Sequence, residues 1–171
     1  MVRFIIAISL LAFIGLLAPF IFKDSNDGLP VQEVIDPETT VHSQDSELKR
    51  TLSAELFNVA RRGGTEQPFS GAYNTFFEPG VYECSVCGNE LFSSESKFDS
   101  RTGWPSFDRP IYKTSLTEQI KKTGDVAITE VKCSRCESHI GFVYQDGPKE
   151  TTGLRYCINS ISLQHKPRVP H

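Results

Sequence analysis

The chain has 171 residues, 39% of them hydrophobic, and carries 18 Lys and Arg against 21 Asp and Glu, a formal net charge of −3. That length buries one good core and leaves little material for a second. The basic residues are scattered instead of blocked, so there is no electrostatic footprint for a polyanion and nucleic acid is not an expected partner.

The first 22 residues differ in kind from the rest. After Met-Val-Arg, Phe4 to Phe22 (FIIAISLLAFIGLLAPFIF) run 19 residues without a charge, close to the roughly 20 apolar residues that cross a hydrocarbon layer. Arg3 precedes the run, and Lys23 behind it is offset by Asp24 and Asp27, which favours a cytoplasmic N-terminus and an exported remainder. No small-x-small cleavage site follows. An uncleaved transmembrane anchor is therefore the first reading, with the domain extracytoplasmic, periplasmic in a bacterium; a cleaved signal peptide and a secreted domain stay open. Residues 23–46, with two prolines and many Asp, Glu, Ser and Thr, read as a solvated linker.

Ser53 has the form of a helix N-cap, with Glu55 in the first turn, Leu56, Phe57 and Ala60 as an apolar stripe, and Gly63-Gly64 as the stop. One or two short helices are expected there. From Gly71 onward the pattern changes. Gly80–Cys84, Val126–Val131, Ile140–Tyr144 and Arg155–Asn159 are rich in β-branched and aromatic residues with Gly, Pro, Asp and Ser between them, which predicts strands. The expected fold is mainly β: antiparallel sheets forming a small barrel-like or sandwich domain over residues 47–167, with a tail at 168–171.

Two C-x-x-C pairs, Cys84-Ser-Val-Cys87 and Cys133-Ser-Arg-Cys136, are each followed by small or polar residues. Four thiolates at about 2.3 Å from one tetrahedral Zn²⁺ would clamp two hairpins. The role would be structural, since four protein ligands leave no open position. Two disulfides or a redox pair remain the alternatives, the first favoured by an exported location. A thioredoxin-type pair opens a helix, and no helical pattern follows either pair.

The fifth cysteine, Cys157, stands in Arg155-Tyr-Cys-Ile-Asn159. On a strand, Arg155, Cys157 and Asn159 share one face while Tyr156 and Ile158 point the other way. A nearby guanidinium lowers a thiol pKa and populates the nucleophilic thiolate. Most free cysteines are small core residues, yet burying Arg155 and Asn159 beside one is costly. Nucleophile and core filler both stay open on these residues alone.

The segments QPFSGAYN (67–74), SSESKFDSRTGWPSFDRP (93–110), CSRCESHIG (133–141), DGP (146–148) and RYCINSISL (155–163), in this order around the cysteine pairs, closely resemble the methionine sulfoxide reductase B family. The resemblance covers about residues 47–167. It implies reduction of the R epimer of methionine sulfoxide in oxidised proteins and peptides, with Cys157 as the nucleophile that keeps the oxygen as a sulfenic acid. The departing oxygen needs a proton, and His139, the first histidine of the family's H-x-G-H pattern, is the candidate donor. Arg155 and Asn159 match positions that set charge and hydrogen bonding around the thiol. Trp104 matches the tryptophan whose face receives the S-methyl group, with Phe107 and Phe142 completing the expected apolar substrate wall. Zinc on Cys84, Cys87, Cys133 and Cys136, one per chain, and a monomeric protein complete the expectation.

Two departures stand out. The second histidine of H-x-G-H is Phe142, which cannot donate a hydrogen bond. Either the chemistry is slower, with His139, Asn159 or water compensating, or the pocket is drier; Gly141 is expected to bend the strand so that 139 and 142 both face inward. Many relatives also carry a resolving cysteine before GWPSF, where this chain has Arg101-Thr102. With four cysteines on zinc, the sulfenic acid would then be reduced by an outside thiol, thioredoxin-like or glutathione-linked. The competing readings are a non-catalytic zinc-binding β module of the same fold and a disulfide-stapled interaction domain.

Overall fold

The computed structural model of the chain describes residues 45–123 and 126–168; the apolar run 4–22, the linker up to residue 44 and residues 169–171 lie outside the described residues. No helix among the described residues is long and apolar enough to cross a membrane.

Residues 45–51 are helical (α1), so the linker placed over 23–46 gives way to helix two residues sooner, with Asp45 tied to Arg61 at 2.6 Å. Helix α2 (Ala54–Arg62) starts where expected: the Ser53 side chain accepts from the Leu56 N–H, Glu55 sits in the first turn, and Gly63 closes the helix at φ 66, a left-handed conformation that glycine adopts without a Cβ clash. Its buried residues are Phe57, Val59 and Ala60.

Nine strands follow among the described residues: β1 (Gly80–Cys84), β2 (Glu90–Ser93), β3 (Lys97–Phe98), β4 (Ser106–Phe107), β5 (Leu116–Thr123), β6 (Val126–Cys133), β7 (His139–Tyr144), β8 (Arg155–Ile158) and β9 (Leu163–Pro167). They form a three-stranded sheet, β2-β1-β9, and a six-stranded sheet, β3-β4-β8-β7-β6-β5, with every pairing antiparallel. Edge strand β5 (LTEQIKKT) carries charged and polar side chains that discourage edge-to-edge association.

One hydrophobic core joins both sheets: Tyr82, Leu91, Phe92 and Leu163 from the small sheet meet Phe107, Val131, Ile140, Tyr156 and Ile158 from the large one. Phe92 stacks on Phe107 at 4.3 Å and 15°, and Tyr82 meets Phe107 edge-on at 5.1 Å. Phe107 is therefore a core residue, fully buried, and not part of the substrate wall. The reason is strand alternation: Phe107 pairs with Tyr156 while its neighbour Ser106 pairs with Cys157, so the two side chains of β4 point to opposite faces. Phe107→Ala should cost about 3–5 kcal/mol of stability and leave the apparent KM for sulfoxide unchanged at temperatures where the variant stays folded. Denaturant unfolding alongside steady-state kinetics checks both halves; a raised KM would return Phe107 to the site.

Candidate active site and metal centre

The face of the large sheet turned away from that core carries the reactive groups. Pairing runs across the strands as Phe98, Ser106, Cys157, Phe142 and Glu130, and residues paired in this way project from the same face. Between β6 and β7 the register slips: Val131 pairs with Gly141 but Lys132 with His139. Ile140 is the extra residue, a β-bulge. The bulge, more than the glycine, puts His139 and Phe142 on one face despite their three-residue spacing, with ring centroids 5.1 Å apart. Gly141 matters for close packing: a Cβ there would collide with the Cys157 carbonyl oxygen, so only glycine lets β8 lie this close.

A cavity of about 140 Å³ opens at the thiol, lined by Thr65, Trp104, Phe142, Tyr144, Cys157 and Asn159. That is below the roughly 300–1,000 Å³ of sites that enclose whole small molecules and suits a single side chain. A larger cavity of about 630 Å³, beside Tyr156 and Leu154, holds no thiol or imidazole and lies by the strand face opposite Cys157. The chemistry belongs to the small cavity.

Its walls are fixed from behind. The Trp104 Nε1–H donates to the Glu66 carbonyl at 3.2 Å. Glu66 is itself buried, its carboxylate accepting from the N–H groups of Ser160 at 2.6 Å and Ile161 at 3.0 Å; burial, ahead of these hydrogen bonds, pushes its pKa up. Asn159 accepts from the Glu66 N–H at 3.0 Å and donates to the Ile140 carbonyl at 3.1 Å. It lines the cavity, but its oxygen and one N–H serve to clamp the loop before Trp104 to β7.

Arg155 makes a two-pronged pair with Asp146, at 2.9 and 2.8 Å, and its guanidinium carbon lies 4.6 Å from the Tyr144 ring centroid. The guanidinium and the Thr102 hydroxyl both lie close enough to act on the Cys157 sulfur. These contacts favour the thiolate, yet burial outweighs them and the net shift of the thiol is upward. The expectation that Arg155 populates the resting thiolate is thus corrected: much of its charge is answered by Asp146, and the sulfur is desolvated. Thr102, in the place of a resolving cysteine, heads a chain of hydroxyls, with Ser100 Oγ 2.8 Å from Thr102 Oγ1 and 2.7 Å from Ser106 Oγ.

His139 does not line this cavity. It is buried, its Nδ1 is 2.8 Å from the Glu130 Oε1, and its Nε2 has no hydrogen-bond partner among the described residues. Glu130 in turn faces Lys121 at 2.8 Å. Burial, first among the causes, holds the imidazole below its ordinary range despite the carboxylate. Sequence reading did not single out Thr65, Glu66, Glu130, Tyr144 or Asp146. Tyr144 had a signal, standing two residues beyond Phe142 on the same strand and hence on the same face.

The four remaining cysteines, none in a disulfide, gather with all their sulfurs within 4.8 Å of one another. Cys84 and Cys136 are 3.7 Å apart and Cys87 and Cys133 3.6 Å, too far for disulfides at about 2.05 Å. They match the edge of a tetrahedron with metal–sulfur bonds of about 2.3 Å, near 3.8 Å. The knuckles fold alike, with Gly88 at φ 70 and Glu137 at φ 57, and the amide N–H groups of Asn89 and Ser138 reach the sulfurs of Cys87 and Cys136. The cluster is built to hold a metal ion.

A lone thiol in a side-chain-sized apolar cavity, on a β fold stapled by four cysteines, defines a thiol-chemistry enzyme class more than a binding module. A model of the SelR domain matches residues 52–167. The peptide methionine sulfoxide reductase MsrB of Chromohalobacter salexigens is 47% identical over 127 residues, 74% of this chain and 96% of that one. Its namesake in Pseudomonas fluorescens is 49% identical over 122 residues, 71% and 92% of the two chains. The chain belongs to the SelR-domain, methionine sulfoxide reductase B family. A solved structure, the Mis18 'Yippee-like' domain, is similar at 21% identity and a TM-score of 0.43 over 54% of this chain and 100% of that one, too remote to carry any argument.

Proposed function

We propose that this protein reduces methionine R-sulfoxide, chiefly in oxidised proteins and peptides, to methionine. The observation that carries the reading is the placement of Cys157, the one cysteine outside the metal cluster, in a cavity walled by Trp104 and Phe142 that admits one side chain. In the net step the Cys157 thiol and a sulfoxide give a Cys157 sulfenic acid and a thioether; the substrate sulfur gains two electrons and the cysteine sulfur loses two. Two external thiols then return the sulfenic acid to thiol, forming one disulfide and one water. An external donor, thioredoxin-like or glutathione-linked, fits because the other four cysteines are gathered at the cluster and Thr102 has no sulfur. Zinc fits the four-sulfur set and would be structural, held by Cys84, Cys87, Cys133 and Cys136 with no position open to substrate. The apolar run 4–22 supports membrane anchoring with the domain outside the cytoplasm.

The test is a rate comparison of the zinc-loaded protein on R- and S-sulfoxide epimers of one peptide with dithiothreitol as reductant. The R epimer should be consumed and the S epimer left at least about 100-fold slower, about 2.7 kcal/mol of discrimination. Equal rates on both, or none on either, would sink the reading.

A further inference from the structure

Reduction of a sulfoxide requires that its oxygen gain a proton as the S–O bond weakens, and Phe142 has none to give. His139 does not fill the gap. The Glu130 carboxylate, 2.8 Å from Nδ1, can only accept, which assigns the proton of the neutral imidazole to Nδ1 and leaves a lone pair on the buried Nε2. Phe142 also stands between Glu130 and Cys157 in the row across the sheet. Trp104 spends its N–H on the Glu66 carbonyl, and Asn159 spends its oxygen and one N–H on backbone. Two hydroxyls remain on the cavity wall, those of Thr65 and Tyr144. An aliphatic alcohol is a far weaker acid than a phenol, whose ordinary pKa is about 10.

Resting on the reductase reading, we propose that Tyr144 is the acid of this site, its phenol giving the proton to the sulfoxide oxygen from a position two residues along the strand from Phe142. Phe142 pairs with Cys157 and Tyr144 with Arg155, so Tyr144 is the diagonal neighbour of the thiol, at a spacing of roughly 7–8 Å that a long aromatic side chain spans. The Arg155 guanidinium, 4.6 Å from the ring centroid and anchored on Asp146, holds the ring in place. Tyr144 is 37% exposed, so the phenol can recover a proton from water after each turnover. Cys157, Arg155 and Asp146 are the titratable and charged groups that face it; burial first, then the Cys157 charge, push the phenol pKa up, and Arg155 opposes them. The group therefore stays protonated through the neutral range.

The step balances. The Cys157 sulfur bonds to the sulfoxide sulfur while the S–O oxygen takes the Tyr144 proton, giving a neutral adduct with an S–OH group. The hydroxyl then passes to the Cys157 sulfur as the S–S bond breaks, releasing the thioether. The proton shed by the thiol on attack replaces, through water, the one that Tyr144 gave.

The experiment compares the full chain with Tyr144→Phe, which keeps the ring and its contact with Arg155, in single turnovers on an R-sulfoxide peptide across the pH range. The variant should reduce the peptide at least 30-fold more slowly at pH 7.5 with substrate affinity little changed, and should lose the alkaline fall in rate that the natural protein shows as the phenol ionises above about pH 10. Alkylation of Cys157 by iodoacetamide, which needs no acid, should be unchanged. An active natural protein whose variant stays within threefold at every pH overturns the assignment. So does a variant equally slowed in alkylation, which would place Tyr144 behind the thiol instead of on the oxygen. Inactivity of the natural protein on both epimers is a distinct outcome, removing the reductase reading and this assignment together.

Discussion

Cys157→Ser should abolish reduction of the R-sulfoxide, with a loss of at least about 10³-fold and no residual turnover above background. Serine fails as a redox centre as much as a nucleophile. A cysteine sulfur can accept the oxygen and sit two electrons higher as a sulfenic acid; a serine oxygen has no comparable state to occupy. The fold should survive, because the substitution exchanges one small side chain for another in a half-buried position that already faces the Thr102 hydroxyl, and a change within about 1 kcal/mol is expected. Burial holds the natural thiol protonated at neutral pH, so the single-turnover rate of the natural protein should climb with pH beyond the ordinary thiol range near 8.5 before the Tyr144 limb turns it down. Mass spectrometry of the quenched peptide measures the rate. The oxidised natural protein should carry one added oxygen or a mixed disulfide on Cys157 and no internal disulfide. Turnover by the serine variant within tenfold of the natural protein would remove Cys157 from the chemistry.

Much of this site was legible because period and chemistry agreed. The alternation in Arg155-Tyr-Cys-Ile-Asn159 put Cys157 and Arg155 on one face and Ile158 in the core, and β8 has that form. The Ser53 cap and Gly63 stop marked α2 because capping is a local interaction. What stayed hidden depends on partners far along the chain. Glu66, one residue before the QPFSGAYN segment, works as a carboxylate only because Ser160 and Ile161, more than ninety residues on, bring their N–H groups to it. Phe107 follows the same alternation rule as β8, and the two-residue length of β4 gave too little pattern to apply it. The Arg155 charge was visible, whereas the Asp146 carboxylate that answers it and the desolvation that outweighs it are properties of the folded surroundings. The bulge at Ile140 is likewise a property of the β6–β7 pairing. Tyr144 was legible in principle, since the pleat that shows Phe142 to the thiol shows position 144 to the same cavity.

Stripping the metal should unfold the domain. Cys84 ends a strand of the small sheet and Cys133 ends a strand of the large one, so the ion would bind the two sheets directly where their knuckles meet. Structural zinc in small domains contributes an apparent 10–16 kcal/mol at neutral pH, as large as the roughly 5–15 kcal/mol that separates a whole folded domain from its unfolded state. The metal-free chain also carries a penalty of its own. Hydrogen bonds among the crowded sulfurs hold Cys84 well above the ordinary thiol range and Cys136 well below it, with burial adding to the first shift and opposing the second. Without a cation the Cys136 charge is thus left among crowded sulfurs with no metal to neutralise it. Chelation, or Cys133→Ser at a buried ligand position, should therefore abolish the cooperative thermal transition seen by circular dichroism and release one zinc per chain, detected with a metallochromic dye. Activity should disappear with the fold, although no ligand touches the Cys157 cavity. The short sulfur distances run between the pairs, Cys84 to Cys136 and Cys87 to Cys133. An oxidant acting on the stripped protein should accordingly join one knuckle to the other instead of closing either C-x-x-C pair. A metal-free protein that keeps its cooperative transition and its turnover would show that the hydrophobic core alone holds the sheets, and that the four sulfurs are not needed for the fold.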